Sequence, residues 1–275
     1  MFSVIVPVYN HEAFLGHAVR SALRSPLVAE VLLLDDGSRD GSAKLAERLA
    51  AAEPRVLNLT PPDRKNRGAP CRLNELVGAA TRDWIAVLNS DDVFVAGRFE
   101  AVVSDPLFPQ SDFIFGNLLL MNESGALIGA KRGPFDTSTP FPPSFDVPAM
   151  VEDAQLLDLL SHQNYLGTTS NMIFRKDLHT RIGGFGNHRY VHDWDFALRA
   201  MAVRRPLYIQ RFITAYRFHG RNTISENAAA VDLESANVFS RFVVEFPEVA
   251  TRPKFRTGLR SNVNAGLLMA SVAKA

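Results

Sequence analysis

The apolar run Trp84-Ile85-Ala86-Val87-Leu88 ends in Asn89-Ser90-Asp91-Asp92, so a stretch built for burial delivers clustered polar oxygens to one point. Adjacent carboxylates repel unless a positive charge sits between them, and hard oxygen ligands suit Mg2+ or Mn2+ carrying a phosphate. A solvated Asp-Asp turn after a strand explains the same residues. Three other stretches present polar groups in the same way: Pro7-Val8-Tyr9-Asn10, Asp35-Asp36-Gly37-Ser38 and the basic loop Arg64-Lys65-Asn66-Arg67. Farther along, Asp193 and Asp195 flank Trp194, and His219 closes Tyr216-Arg217-Phe218-His219. A carboxylate there can take a proton or cap a helix. An imidazole can bind a metal or simply end a strand.

These groups need elements that bring them together. Phe2 to Val8, Glu30 to Leu34, Arg55 to Leu59 and Trp84 to Leu88 read as strands. Between them, Phe14, Leu15, Ala18, Val19, Ala22 and Leu23 recur at helical spacing until Pro26, as do Leu45, Ala46, Leu49 and Ala50. A helix from about Pro70 to Ala80 leads into the last of these strands. Strands alternating with helices predict an α/β fold with a Rossmann-like, mostly parallel sheet, helices on both faces and right-handed connections. Because Tyr9-Asn10, Asp35-Asp36, the Arg64 to Arg67 loop and Asn89 to Asp92 each follow a strand, these four clusters should converge on the carboxyl edge, the usual ligand site of such sheets. Glycine-rich phosphate loops are absent, so a diphosphate bound here needs a metal and Arg or Lys to neutralise it.

Composition narrows the partners. Lys plus Arg number 30 against 29 Asp plus Glu, which gives no sign of nucleic-acid binding. The single cysteine, Cys71, fits a reducing compartment, and no stretch reaches the ~20 apolar residues of a membrane span. The N-terminus lacks a signal-peptide pattern, so the expected location is the cytoplasm, with room for peripheral attachment at the inner face of a membrane.

After Asp92 the alternation weakens. The expected elements are a short helix from Arg98 to Ser104, a hairpin of Asp112 to Met121 with Leu127 to Lys131, and a helix from Glu152 to Leu160. Pro134 to Pro148 holds five prolines in fifteen residues and reads as a loop and candidate flap. Tyr165 to Arg175 reads as a strand, Lys176 to Ile182 as a helical turn, and His192 to Met201 as a helix. Leu207 to Ile209 and Ile213 to Phe218 read as two strands. The helical stripes after residue 224, including Val238, Phe239, Phe242, Val243 and Phe246, suit a core or a homo-oligomer surface, and a final helix is expected near Asn264 to Val272.

Taken together, Val4-Ile5-Val6-Pro7-Val8-Tyr9-Asn10, Leu34-Asp35-Asp36-Gly37-Ser38, Asn89-Ser90-Asp91-Asp92, Asp193-Trp194-Asp195 with Arg199, and Tyr216-Arg217-Phe218-His219 resemble the family 2 glycosyltransferases of GT-A fold. The resemblance covers residues 2 to about 223 and implies a GT-A domain over 1–223, with a nucleotide-binding half (1–95), an acceptor-binding half (96–223) and a C-terminal helical extension over 224–275. It implies a hexosyltransferase-type enzyme of bacterial surface polysaccharide synthesis. Such an enzyme makes an inverting transfer from a nucleoside-diphosphate sugar, a UDP-sugar by first expectation, to a hydroxyl of a saccharide or lipid-linked saccharide, with Mn2+ or Mg2+.

Carried over residue by residue, Pro7, Tyr9 and Asp36 would hold base and ribose, and Val8, Asn10, Asn66, Arg67, Arg72, Asn89 and Ser90 would complete the donor site. Asp91 and His219 would hold the metal, and Asp193 would be the general base. Two positions depart from the pattern. Asn89 stands where the family's D-x-D has its first Asp, and Leu73 stands where many members carry an Arg, so Arg72, Arg67 or Arg64 would have to substitute. Trp194 reads either as an acceptor-stacking ring or as core. A nucleotidyltransferase and a catalytically silent nucleotide-sugar-binding subunit are the competing readings.

Overall fold

A computed structural model describes residues 1–135, 153–220, 227–260 and Asn262. In chain order the strands and helices are β1 (Phe2–Val8), α1 (Glu12–Leu23), β2 (Val28–Asp35), α2 (Ser42–Ala52), β3 (Val56–Asn58), α3 (Ala69–Ala79), β4 (Trp84–Val87) and β5 (Val93–Phe94). There follow α4 (Arg98–Val103), β6 (Phe113–Met121), β7 (Leu127–Lys131), α5 (Asp153–Leu160), β8 (Ile173–Arg175), α6 (Lys176–Arg181), α7 (His192–Val203), β9 (Pro206–Arg217), α8 (Ala228–Glu245) and α9 (Pro247–Ala250). Most of the expected flap, residues 136–148, and the expected final helix over 264–272 lie outside the described residues.

Among the described residues nine strands form a single sheet in the order β3-β2-β1-β4-β8-β6-β9-β5, with β7 paired to β6. The strands β3, β2, β1 and β4 run parallel to one another, and β9 runs parallel to β6. Both faces are covered, and alternation along each strand shows how. From β1, Val4, Val6 and Val8 join Leu15, Ala18 and Val19 of α1 in one core, while Ile5 joins Leu73, Leu76 and Val77 of α3 in the other. The apolar run at β4 splits likewise, Ile85 and Val87 to the α3 side and Ala86 and Leu88 to the α1 side. That is why the sequence there is continuously apolar instead of alternating. The C-terminal helices contribute Val238, Phe239, Phe242, Phe246 and Val249 to the same core as Phe196 of α7 and Phe113 of β6.

Two strand expectations need correction. Only Ile173–Arg175 of the predicted Tyr165–Arg175 strand is extended, because Gly167 turns at φ +74° and Thr169–Asn171 forms a 3-10 turn. The polar side chains of that segment turn inward to hold the site. Conversely, the two predicted strands at 207–209 and 213–218 are one strand, β9. The polar pair Gln210-Arg211 that looks like a break is a bulge: Gly116 pairs with Ile209, and the next residue, Asn117, with Phe212. A Cβ at Gly116 would come within 2.9 Å of the Ile209 carbonyl oxygen, and the Asn171 side chain satisfies the Gly116 N–H and C=O at 3.1 and 2.9 Å.

Candidate active site

Parallel pairing brings the ends of β1, β2 and β4 to one edge, with Val8 opposite Asp35 and Ile5 opposite Val87. Beyond β4, the antiparallel pairing of Val93 with Ala215 fixes what faces Asp91. Two residues back on one strand and two on along the other bring Asp91 to Arg217, whose Nε donates to the Asp91 carbonyl at 2.8 Å. His219 then lies beside the Asp91 side chain, with its Nε2 2.9 Å from Oδ2.

A third group completes this cluster. His11, between β1 and α1, places Nε2 3.8 Å from the same Asp91 oxygen, and its Nδ1 lies 2.8 Å from the Ser90 hydroxyl. The ligand atoms of His11, Asp91 and His219 all fall within 4.8 Å of one another. The sequence reading missed His11 as a site residue. The only signal was its position directly after Tyr9-Asn10, among residues already assigned to the site. Burial raises the Asp91 carboxyl, but the His219 hydrogen bond and the His11 and His219 charges outweigh it and hold its pKa below the usual carboxylate range. Burial, followed by the Asp91 charge, drives the neighbouring Asp92 up to about 7. One carboxylate with two imidazoles is a donor set that fits a divalent ion such as Mn2+.

Asp92 faces inward and organises the floor. Its Oδ2 accepts from Ser170 Oγ at 2.5 Å and Thr168 Oγ1 at 3.0 Å, and its Oδ1 accepts from the Arg217 amide at 2.9 Å. Asn89 is held in the same network, with Nδ2 2.9 Å from Thr168 Oγ1 and Oδ1 accepting from Thr169 at 2.7 Å. The segment 168–170 therefore supports the whole Asn89–Asp92 turn. Sequence reading missed it because these hydroxyls look like strand residues.

The second cluster centres on Asp36. Its Oδ1 accepts from the Arg67 amide at 2.8 Å and from Arg72 Nε at 2.6 Å, and its Oδ2 accepts from the Gly68 amide at 2.9 Å. Asn66 Nδ2 donates to the Asp36 carbonyl at 3.0 Å. Asp36 thus folds the basic loop across the end of β2. Gly37, at φ +78°, is required there, since a Cβ would meet the Arg64 carbonyl oxygen at 2.5 Å. Arg72 is fully buried, and beyond Asp36 it binds Glu75 at 2.7 Å and the Lys65 carbonyl. Arg64 pairs with Glu47, and Arg67 lies half-exposed, tied to Asp63 and Glu75. Of the three candidates for the missing arginine, Arg72 reaches Asp36 and Arg67 reaches the rim. Leu73 is fully buried core.

On the β1 side, Pro7 and Val8 end the strand and Tyr9 is exposed. Asn10 sits at φ 54° and is held by the Arg39 amide on its side-chain oxygen at 2.7 Å and by its own N–H on Ser38 Oγ at 2.9 Å. Asp193 stands at the start of α7, with Oδ2 accepting from Asn164 Nδ2 at 2.8 Å. Asp195, by contrast, is buried against Arg199. Trp194 is core: its indole donates to the Leu160 carbonyl at 2.7 Å and its ring packs edge-on to Phe239. Among the described residues Asp193 bonds to Asn164 and not directly to the Asp91 side chain. Residues 164–170 link them, with Asn164 on Asp193 and Thr168 on Asn89 and Asp92.

A sheet of this order with its polar clusters at the carboxyl edge of β1, β2 and β4 is the GT-A fold. The chain matches the family described as "Glycosyl transferase family 2" over residues 3–183, and it belongs to that family. It is 32% identical over 149 residues to "Succinoglycan biosynthesis protein ExoU" of Rhizobium meliloti, covering 54% of this chain and 42% of the relative. It is 29% identical over 135 residues to "UDP-Glc:alpha-D-GlcNAc-diphosphoundecaprenol beta-1,3-glucosyltransferase WfgD" of Escherichia coli, covering 49% of this chain and 51% of that protein. The chain therefore spans about half the length of these curated relatives.

Among solved structures, S. aureus TarS 1-349 in complex with UDP-GlcNAc superposes with a TM-score of 0.67 at 17% identity, covering 98% of this chain and 72% of that one. Mannosyltransferase PcManGT from Pyrobaculum calidifontis, in complex with GDP-Man and Mn2+, gives 0.63 at 14% identity, covering 100% and 75%. Among the described residues no helix is long and apolar enough to cross a membrane.

Proposed function

We propose that this chain is an inverting glycosyltransferase, moving a hexose from a nucleoside-diphosphate sugar to a hydroxyl of a saccharide or lipid-linked saccharide during bacterial surface polysaccharide synthesis. The observation that carries the reading is the Asp91 carboxylate between two imidazoles at the end of β4, beside the loop folded on Asp36, in a chain of this family. Asp91 and His219 would hold Mn2+ or Mg2+, whose chemistry there is to neutralise the diphosphate as it leaves. Tyr9, Asn10 and the Asp36 loop would bind the nucleoside, Arg67 at the rim would meet phosphate, and Asn66, Arg72, Asn89 and Ser90 would act mainly by shaping these loops.

Asp193 takes the proton of the acceptor hydroxyl. That oxygen forms a bond to the anomeric carbon while the bond from that carbon to the phosphate oxygen breaks, and the nucleoside diphosphate departs with the electron pair. Attack opposite the leaving group inverts the configuration. The relatives act in succinoglycan biosynthesis and on a diphosphoundecaprenol-linked sugar, which supports a lipid-linked acceptor and work at the inner membrane face. A catalytically silent binding subunit remains the competing reading because Asn89 replaces an acid. Incubation with UDP-glucose, UDP-GlcNAc or GDP-mannose, Mn2+ and a lipid-linked saccharide decides between them. Release of nucleoside diphosphate that depends on acceptor, with product of the opposite anomeric configuration, is expected; binding without any release would refute the proposal.

A further inference from the structure

The position where the family pattern supplies a first acid is Asn89, and its side chain is engaged by Thr168 and Thr169. Among the described residues Asp91 is therefore the one carboxylate of the cluster it forms with His11 and His219, and a cation there would need a further donor. His11 is placed to supply it. Its backbone is fixed by the N–H bond to Ser42 Oγ at 2.9 Å, and its ring packs edge-on to His219 at 5.4 Å between centroids. Ser90 Oγ lies 2.8 Å from Nδ1, and in the tautomer in which it accepts the Nδ1 proton the lone pair is on Nε2, the atom that faces Asp91 Oδ2 at 3.8 Å. An oriented imidazole with its far nitrogen held by a hydrogen bond is the usual arrangement around a metal-ligating histidine.

We infer that His11 is a third protein ligand of the cation held by Asp91 and His219, with Ser90 as its positioning residue. The inference rests on the metal site proposed above. It has a consequence for selectivity: two imidazoles and one carboxylate favour Mn2+ and Co2+ over Mg2+, which prefers oxygen. Because His11 directly follows Tyr9 and Asn10, the loop that would meet the nucleoside would also contact the ion.

The test uses Mn2+ alone, without donor. Pulsed electron paramagnetic resonance of bound Mn2+ counts coordinated imidazole nitrogens, which a purely structural histidine does not contribute. The wild-type protein should show two, His11→Gln and His219→Gln one each, and the double variant none. Titration should show Mn2+ affinity falling in His11→Gln by at least the ~10- to 100-fold that loss of an outer-shell partner costs, and by about that range in Ser90→Ala. Thermal unfolding in chelator separates loss of a ligand from loss of fold, and His11→Asn serves if His11→Gln is misfolded. Identical nitrogen modulation and affinity in the wild type and the His11 variants would overturn the inference while leaving the Asp91–His219 site intact. Failure of the wild-type protein to bind Mn2+ would overturn both.

Discussion

Asp195 and Arg199 close an ion pair across one turn of α7, and the guanidinium continues to the carbonyl oxygens of Ile182 and Gly184, at 2.8 Å for the latter. This pair divides the labour between two carboxylates that are near neighbours in sequence. Asp195 is buried and committed to the fold, whereas Asp193 is partly exposed and held by the Asn164 amide.

Asp193→Asn should therefore lower transfer by ~10²- to 10⁴-fold while donor affinity and unfolding temperature stay near wild type, because only proton acceptance is lost. Asp195→Asn should do the reverse: removing one partner of a buried pair costs about 3–5 kcal/mol, so the protein melts early or fails to accumulate. Steady-state kinetics beside thermal unfolding checks both. A stable Asp195→Asn protein without activity would reverse the assignment. Asn164→Ala should lower turnover more than it weakens donor binding.

Leu73→Arg tests the departure from the family pattern. By sequence count the change restores the usual arginine, and alignment alone expects better donor binding. Leu73 is fully buried on the α3 side of the sheet, however, and Arg72 already pairs with Asp36. A guanidinium without a partner there costs several kcal/mol. The variant should be insoluble or unfolded, as judged by expression and circular dichroism, and improved nucleotide binding would contradict the burial of Leu73.

Chelation should separate the donor site from the fold. UDP at about 100 times its dissociation constant stabilises a protein by ~2.7 kcal/mol. With Mn2+ present a comparable gain should appear as a raised unfolding temperature, and with chelator most of it should vanish. Asp91→Ala should abolish the difference, since the carboxylate nearest both His11 and His219 is gone. Equal stabilisation with and without metal would argue against the metal-bound donor.

Much of this could be read from the residues. The β4 run, its polar terminus and the ends of β1 and β2 were legible because parallel strands buried on two faces have a local signature. What was not legible depends on distant partners. Ser170 meets Asp92 from 78 residues away, and Arg72 meets Asp36 from 36 away, so neither leaves a periodic trace. The bulge at Gln210-Arg211 reads like the end of a strand because it is the neighbouring strand β6, with glycine at 116, that makes room for it. His11 leaves no trace for the same reason: the Asp91 and His219 side chains it lies beside are 80 and 208 residues along the chain, and nothing local distinguishes it from an ordinary loop histidine.

His179 gives a pH signature independent of catalysis. Its Nε2 lies 2.8 Å from the Asn74 side-chain oxygen, which also accepts from the Phe185 amide at 2.8 Å, so the imidazole helps tie α3 to the turn before α7. Burial first, then the nearby Arg199 and Lys176 charges, depress its pKa to about 4. An unfolded chain binds this proton near pH 6.5, so between pH 6.5 and 4 the unfolded state holds more protons than the native one. Stability from this group is thus complete above pH 6.5 and is lost as pH falls towards 4, by ~1–3 kcal/mol. His179→Gln keeps a donor for Asn74 but cannot titrate, so its urea-unfolding free energy should decline less than that of the wild type across this window, with the two curves running parallel above pH 7. Parallel curves throughout would mean that His179 titrates normally in the folded protein.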